Sequence, residues 1–269
     1  MPPTTPTGLT FDETRHAYTL DGRRVPGVTS IIGVLDKSGP LTRWAARTVA
    51  EYVWDNPDET RLLLAGSREE CVRSLIAVPN AVRDGAAGRG STIHAHAEAI
   101  LRDHATDVAD VLVPIVQGIV RFLEEWEIDP ILTEYACASR EHRWAGTGDT
   151  IAHYRHPLTG RRGILYADWK SGKNTYGESG LQFSAYTEGA EFTGLDGQER
   201  PVPEVDAVYG VHTLPGEAIV YPYEHGPAVY ADFLTCRAAY EIKLKANRKP
   251  GPSAYKRPAV TTEKENQHV

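Results

Sequence analysis

Apolar positions change their spacing part-way along the chain. Up to about Trp126 they recur at three- and four-residue intervals; from Ile131 onward they fall into short β-prone runs separated by turn residues. The first half opens with a predicted hairpin, His16 to Leu20 and Arg23 to Val28 about Asp21-Gly22, a dipeptide suited to the tight turn between paired strands. Leu41, Trp44, Ala45, Val49 and Tyr52 then mark one face of an amphipathic helix. Ser67 with Glu70 predicts a capped helix start, and Pro79 its end. Gly88-Arg89-Gly90 opens a third helix over about Ser91 to Arg102, and a fourth covers about Val113 to Trp126.

The second half predicts strands at Leu132 to Ala138, Asp149 to Tyr154, Gly163 to Trp169, Val205 to Leu214 and Ala218 to Tyr223, the last two joined through Pro215-Gly216. A helix over about Gly180 to Phe192, with Ser179 and Gln182 as a second capping box, precedes the last two strands; a final helix runs from about Ala228 to Lys245. The expectation is an α/β fold in one domain, residues 1–250. Residues 1–130 form its mostly helical part after the hairpin and 131–250 its sheet and helices. The Pro-, Lys-, Glu- and Thr-rich segment 251–269 reads as a disordered tail.

Composition narrows the classes. At 269 residues and 41% hydrophobic content the chain can bury a full core. The start MPPTTPTGLT lacks a signal pattern, and the most apolar run, Val108 to Phe122, is broken by Asp110, Pro114 and Gln117; a soluble, cytoplasmic protein without a membrane partner is expected. Cys71, Cys137 and Cys236 are too few and too scattered for a disulfide framework or a four-cysteine iron-sulfur cluster. A net charge of −7 argues against coating nucleic acid indiscriminately, so contact with DNA would be local. Lys173 and the acid-free stretch from Lys243 to Arg257, with Lys243, Lys245, Arg248 and Lys249, are the candidates for it, although a solvated tail explains such a run equally well.

The chemistry concentrates in two segments, Gly146-Thr147-Gly148-Asp149 and Asp168-Trp169-Lys170. Folded about Leu158-Thr159 with symmetric register, they set Asp149 opposite Asp168, Ile151 opposite Tyr166 and His153 opposite Ile164. Opposed positions hold their Cβ atoms about 5 Å apart, where like charges repel unless a cation intervenes. Lys170 shares a strand face with Asp168. An Asp-x-Lys triplet alone arises by chance on the order of once in a chain of this size. Here Ile164-Leu165-Tyr166-Ala167 reads as a strand buried on both faces, so the following carboxylate needs a partner. Two carboxylates suit magnesium. His94, one turn into the helix after Gly90, is a further candidate ligand, diluted by His96 and His104. Gln182 and Tyr186 lie one turn apart with hydrogen-bonding tips, a pattern that a half-buried amphipathic helix produces as well.

The ordered set Gly90-x-x-x-His94, Gly146-Thr147-Gly148-Asp149, Asp168-Trp169-Lys170 and Gln182-x-x-x-Tyr186 resembles the RecB-like branch of the PD-(D/E)XK nucleases, which includes CRISPR-associated, mitochondrial and phage exonucleases. The match spans about Gly88 to Tyr186, and the opening hairpin and first helix are similar too. The resemblance implies a restriction-endonuclease-like mixed sheet flanked by helices. It implies Mg2+ (or Mn2+ in its place) held by His94, Asp149, Asp168 and the Trp169 carbonyl, with Glu134 a possible accessory. Lys170 would position the attacking water, and Gln182 and Tyr186 would support the lysine and the strand.

The implied activity is DNA hydrolysis leaving a 5′-phosphate, most simply exonucleolytic on single-stranded or free-ended DNA in recombination, repair or phage replication, with a possible recombination or helicase partner. The chain lacks the four cysteines of the cluster-bearing relatives. Ser171-Gly172-Lys173-Asn174 also lacks the flanking residues of a phosphate-binding loop, so neither an iron-sulfur cluster nor ATP is expected. A catalytically idle DNA-binding module or a structure-selective endonuclease on the same fold are the alternatives.

Overall fold

The computed structural model describes residues 8–102, 108–170, 176–194 and 198–248. Lys173, Lys249 and the segment 251–269 lie outside them. Strands β1 (Leu9–Asp12), β2 (Ala17–Leu20) and β3 (Arg23–Val25) form a three-stranded antiparallel sheet. The β2–β3 hairpin is the predicted one: Asp21 and Gly22 have φ of 51° and 72°, the sign a two-residue turn of matching twist requires. Strand β1 was not predicted, because no turn dipeptide pairs it with a neighbour as Asp21-Gly22 pairs β2 and β3.

Helices α1 (Val28–Ile32), α2 (Ser38–Asp55), α3 (Pro57–Ala65) and α4 (Arg68–Leu101) follow. Helix α2 carries the predicted apolar stripe but buries none of it, and Leu41 and Trp44 stay exposed. Ser67 caps α4 by accepting the Glu70 amide at 3.2 Å. Contrary to expectation, α4 does not end at Pro79; it runs unbroken for 34 residues and absorbs the helix expected to begin at Ser91. A proline deprives the carbonyl four residues back, at Leu75, of its helical partner. In this largely solvent-facing stretch water can replace that partner, and the helix continues.

After a short 3-10 turn, α5 (Val113–Glu125) leads into the main sheet: β4 (Asp129–Ser139), β5 (Trp144–Arg155), β6 (Arg162–Lys170), then α6 (Ser179–Ser184), β7 (Phe192–Thr193), β8 (Ala207–Leu214), β9 (Glu217–Pro222) and the closing helix α7 (Pro227–Ala246). The strand order is β7-β4-β5-β6-β8-β9, antiparallel except for the parallel pair β6 and β8. The sheet is therefore mixed and flanked by helices, as expected for an α/β fold. Ser179 does not cap α6. Glu178 holds the cap position, no side chain caps it, and the helix passes into a π-turn over Ala185–Gly189 instead of continuing to Phe192.

Both faces of the sheet are covered. On one, α1, α6 and α7 bring Ile31, Phe183 and Phe233 onto Trp144, Ile151 and Tyr166. On the other, the end of α4 and α5 bring Ile93, Ala97, Ile119 and Phe122 onto Ala152, Leu165, Ala167 and Trp169. The apolar run Ile164–Ala167 is thus buried on both sides of β6, which explains its lack of alternation. Among the described residues no helix is long and apolar enough to cross a membrane.

Candidate metal centre

The β5–β6 register is the one the sequence symmetry predicts: Ile151 pairs with Tyr166 and His153 with Ile164, and the last pair before the site is Thr150 with Ala167. The next residue along each strand is Asp149 and Asp168. On the other side of β5, Thr133 pairs with Thr150 and Tyr135 with Gly148, so Glu134 comes opposite Asp149. Three acids, Glu134, Asp149 and Asp168, therefore stand in one row across three adjacent strands. Glu134 reaches its place through an irregular β4: the register slips between Pro130 and Leu132, and Glu134 itself has φ of +45°, a sparsely populated conformation for a glutamate. Arg102, at the end of α4, donates to the Thr133 hydroxyl at 3.0 Å and its carbonyl at 3.2 Å, tying the irregular strand to the helix that carries His94.

His94 projects onto this row. Its Nδ1 lies 3.3 Å from Asp149 Oδ2 and 3.7 Å from Glu134 Oε1. One ligand atom from each of His94, Glu134 and Asp149 falls within 4.8 Å of the other two, a spacing at which one ion could bind all three. Asp149 is further fixed by the backbone amide of Trp169, which donates to its Oδ2 at 2.8 Å. Asp168, 2% exposed, takes an ion pair from Lys170 Nζ at 2.5 Å and a hydrogen bond from the Tyr166 hydroxyl at 3.3 Å. The lysine ammonium also lies 5.2 Å from the centre of the Phe183 ring, a cation–π contact that holds it over the sheet.

The structure thus brings His94, Glu134, Asp149, Asp168 and Lys170 together. Glu134, the accessory of the sequence reading, converges with His94 and Asp149, while Asp168 stands beside them held by Lys170 and Tyr166. Gln182 and Tyr186 bond to each other, Gln182 Nε2 donating to the tyrosine hydroxyl at 3.5 Å. The Tyr186 ring lies over Gly146, where an added Cβ would meet it at 2.6 Å; the Tyr135 ring does the same at Gly148, also at 2.6 Å. The glycines of Gly146-Thr147-Gly148-Asp149 are needed for this close approach of two aromatic rings to β5. Lys243 donates to the Gly33 carbonyl at 3.3 Å, on the flank formed by α1 and α7. Tyr166, Phe183 and Arg102 were missed by the sequence reading, although Tyr166 shares a strand face with Asp168 and Lys170 and alternation alone could have found it.

Burial, and then each other's charge, push the Asp149 carboxyl well above the usual carboxylate range. Burial likewise raises Asp168, against the pull of Lys170. At His94 burial favours the neutral ring, but the Glu134 hydrogen bond and the Asp149 and Asp168 charges outweigh it and raise the imidazole from 6.5 to about 9. With a proton on it, the ring offsets the neighbouring carboxylates. All three groups have folded values above their unfolded ones. The His94 contribution to stability is therefore complete below pH 6.5 and lost as pH rises through about 9. In EDTA the melting temperature should fall between pH 6.5 and 9, and fall less in His94→Ala. A divalent ion, which requires deprotonated ligands, should restore more stability at the alkaline end. Thermal unfolding across that range checks both; a melting temperature that climbs toward pH 9 in EDTA would contradict this electrostatic picture.

One imidazole nitrogen with two carboxylates makes a donor set that could hold a divalent ion. No protein-family model and no curated protein matches this sequence.

Proposed function

We propose that the chain is a divalent-metal-dependent deoxyribonuclease of the RecB-like PD-(D/E)XK kind, with a restriction-endonuclease-like core, hydrolysing phosphodiester bonds of single-stranded or free-ended DNA. The observation that carries this reading is the convergence of His94, Glu134 and Asp149 on one point beside the buried Asp168–Lys170 pair. His94, Glu134 and Asp149 would hold the ion, with Asp168 next to them in the row; the Trp169 carbonyl is a further candidate ligand. Magnesium bound there would lower the pKa of water and neutralise charge on a phosphate oxygen.

The remaining work falls to the chain itself. Lys170, oriented by Asp168 and Phe183, can donate hydrogen bonds to the attacking water and to the phosphate oxygen on which charge builds. The incoming oxygen forms the new bond to phosphorus as the bond to the 3′-oxygen breaks, leaving a 5′-phosphate. The proton shed by the attacking water passes to solvent, which also protonates the departing 3′-oxygen. Gln182 and Tyr186 act at one remove, by pressing β5 into the shape that presents Asp149.

End-labelled linear DNA and closed circular DNA, each given with Mg2+ or with EDTA, test the reading. Loss of the linear substrate in Mg2+ alone, with the circle intact, is expected. Cutting of the circle would turn the assignment to an endonuclease, and digestion in EDTA would refute metal-dependent chemistry.

A further inference from the structure

We propose that the cleft between the N-terminal hairpin and α7 is a binding groove for single-stranded DNA; this rests on the nuclease reading. Arg23 and Arg24 of β3, Arg143 of the β4–β5 turn and Arg237 of α7 line one groove together with Tyr18 and Tyr240. Its one acidic lining residue is Glu241, bonded to Arg237 at 2.6 Å. Arg143 pairs with Asp21 and Arg237 with Glu241, which leaves Arg23 and Arg24 as the two unbalanced positive charges at the groove, on a chain whose net charge is −7. Phosphates supply most of the affinity of proteins for nucleic acid, and arginine binds them in a fork. A local reversal of sign is therefore the physical requirement for an acidic protein to take DNA at one place.

The four arginines are not equivalent. Arg143 pairs with Asp21 at 3.4 Å and donates to the Leu20 carbonyl, and Arg237 donates to the His142 carbonyl, so both also brace the turn. Arg23 and Arg24 are exposed on the hairpin, and among the described residues no acidic side chain pairs with them. Arginines without an acidic partner among the described residues, in a groove lined also by two tyrosines, supply the combination that single strands favour: charge for the backbone and aromatic faces for bases of any identity.

One lining residue also bonds to the strand that carries Asp149. The Tyr18 hydroxyl lies 2.7 Å from Thr147 Oγ1, and Thr147 is two strand residues, about 7 Å, from Asp149.

The test is fluorescence anisotropy of the full chain with a labelled single-stranded oligonucleotide of about 20 nucleotides, longer than common single-strand site sizes, in EDTA so that nothing is cut. The double variant Arg23→Ala/Arg24→Ala should bind about tenfold more weakly, with a log–log salt dependence shallower by about 1.4, the loss of two phosphate contacts. Arg23→Lys/Arg24→Lys should recover most of the affinity, which a merely unfolded hairpin would not allow. An alanine variant with unchanged affinity and salt slope, a wild type that does not bind, or displacement of the DNA by an equal charge of polyglutamate would overturn the groove. Cleavage by the wild type with arginine-independent binding would remove the groove and leave the nuclease. Arginine-dependent binding without any metal-dependent cleavage would leave the groove and remove the nuclease.

Discussion

Replacing Lys170 with alanine should slow the proposed Mg2+-dependent DNA hydrolysis about a thousandfold, the upper part of the range for removing one pre-placed donor from a charge-stabilising site. The side chain makes two contacts, the ion pair to Asp168 and the face of Phe183, and both fix its ammonium rather than bury it away. Single-turnover cleavage of end-labelled DNA measures the effect on the chemical step. The variant should still bind Mn2+, because His94, Glu134 and Asp149 are untouched, and that separation of binding from rate marks a catalytic lysine. Loss below about threefold, far short of one donor's worth, would assign the ammonium to holding Asp168 alone.

The second large effect is structural. Trp144 is fully buried where β5 begins, edge-on to Phe233 at 5.6 Å, and its indole N–H donates to the Tyr230 hydroxyl at 3.3 Å. Trp144→Ala should lower unfolding free energy by about 3–5 kcal/mol, the usual cost of emptying an aromatic site in a core. Urea unfolding gives the number. A loss under about 1 kcal/mol would mean that α7 collapses into the space, and that the helix is not held against β5 by this ring.

Trp144 and the site belong to the same strand, and that strand shows what could be read from the sequence. The β5–β6 hairpin was legible because its turn sits midway between two apolar segments buried in the sheet, where a one-residue slip would turn each strand's side chains to the opposite face. The opposition of Asp149 and Asp168 followed from that symmetry. Helix α5 was legible from its wide apolar stripe. The position of Glu134 was not: it depends on a register slip at Pro130–Leu132 and a left-handed φ, features set by the packing of β4 against β5 and the tie from Arg102 rather than by local sequence. Helix α4 was misjudged because the cost of a proline depends on whether solvent can reach the carbonyl it orphans. The π-turn around Tyr186 has no local signature and is shaped by contacts at Gly146 and Gly189, where an added Cβ would meet the Tyr186 and Tyr230 rings at 2.6 and 2.0 Å.

The proposed function depends on His94, Glu134 and Asp149 being able to hold one divalent ion. Calorimetric titration of the intact chain with Mn2+ at pH 8 tests this directly, with Asp149→Ala beside it. One saturable equivalent in the wild type, absent from the variant, is the predicted result. A wild type that shows no saturable binding, or a variant that binds as tightly, would contradict it.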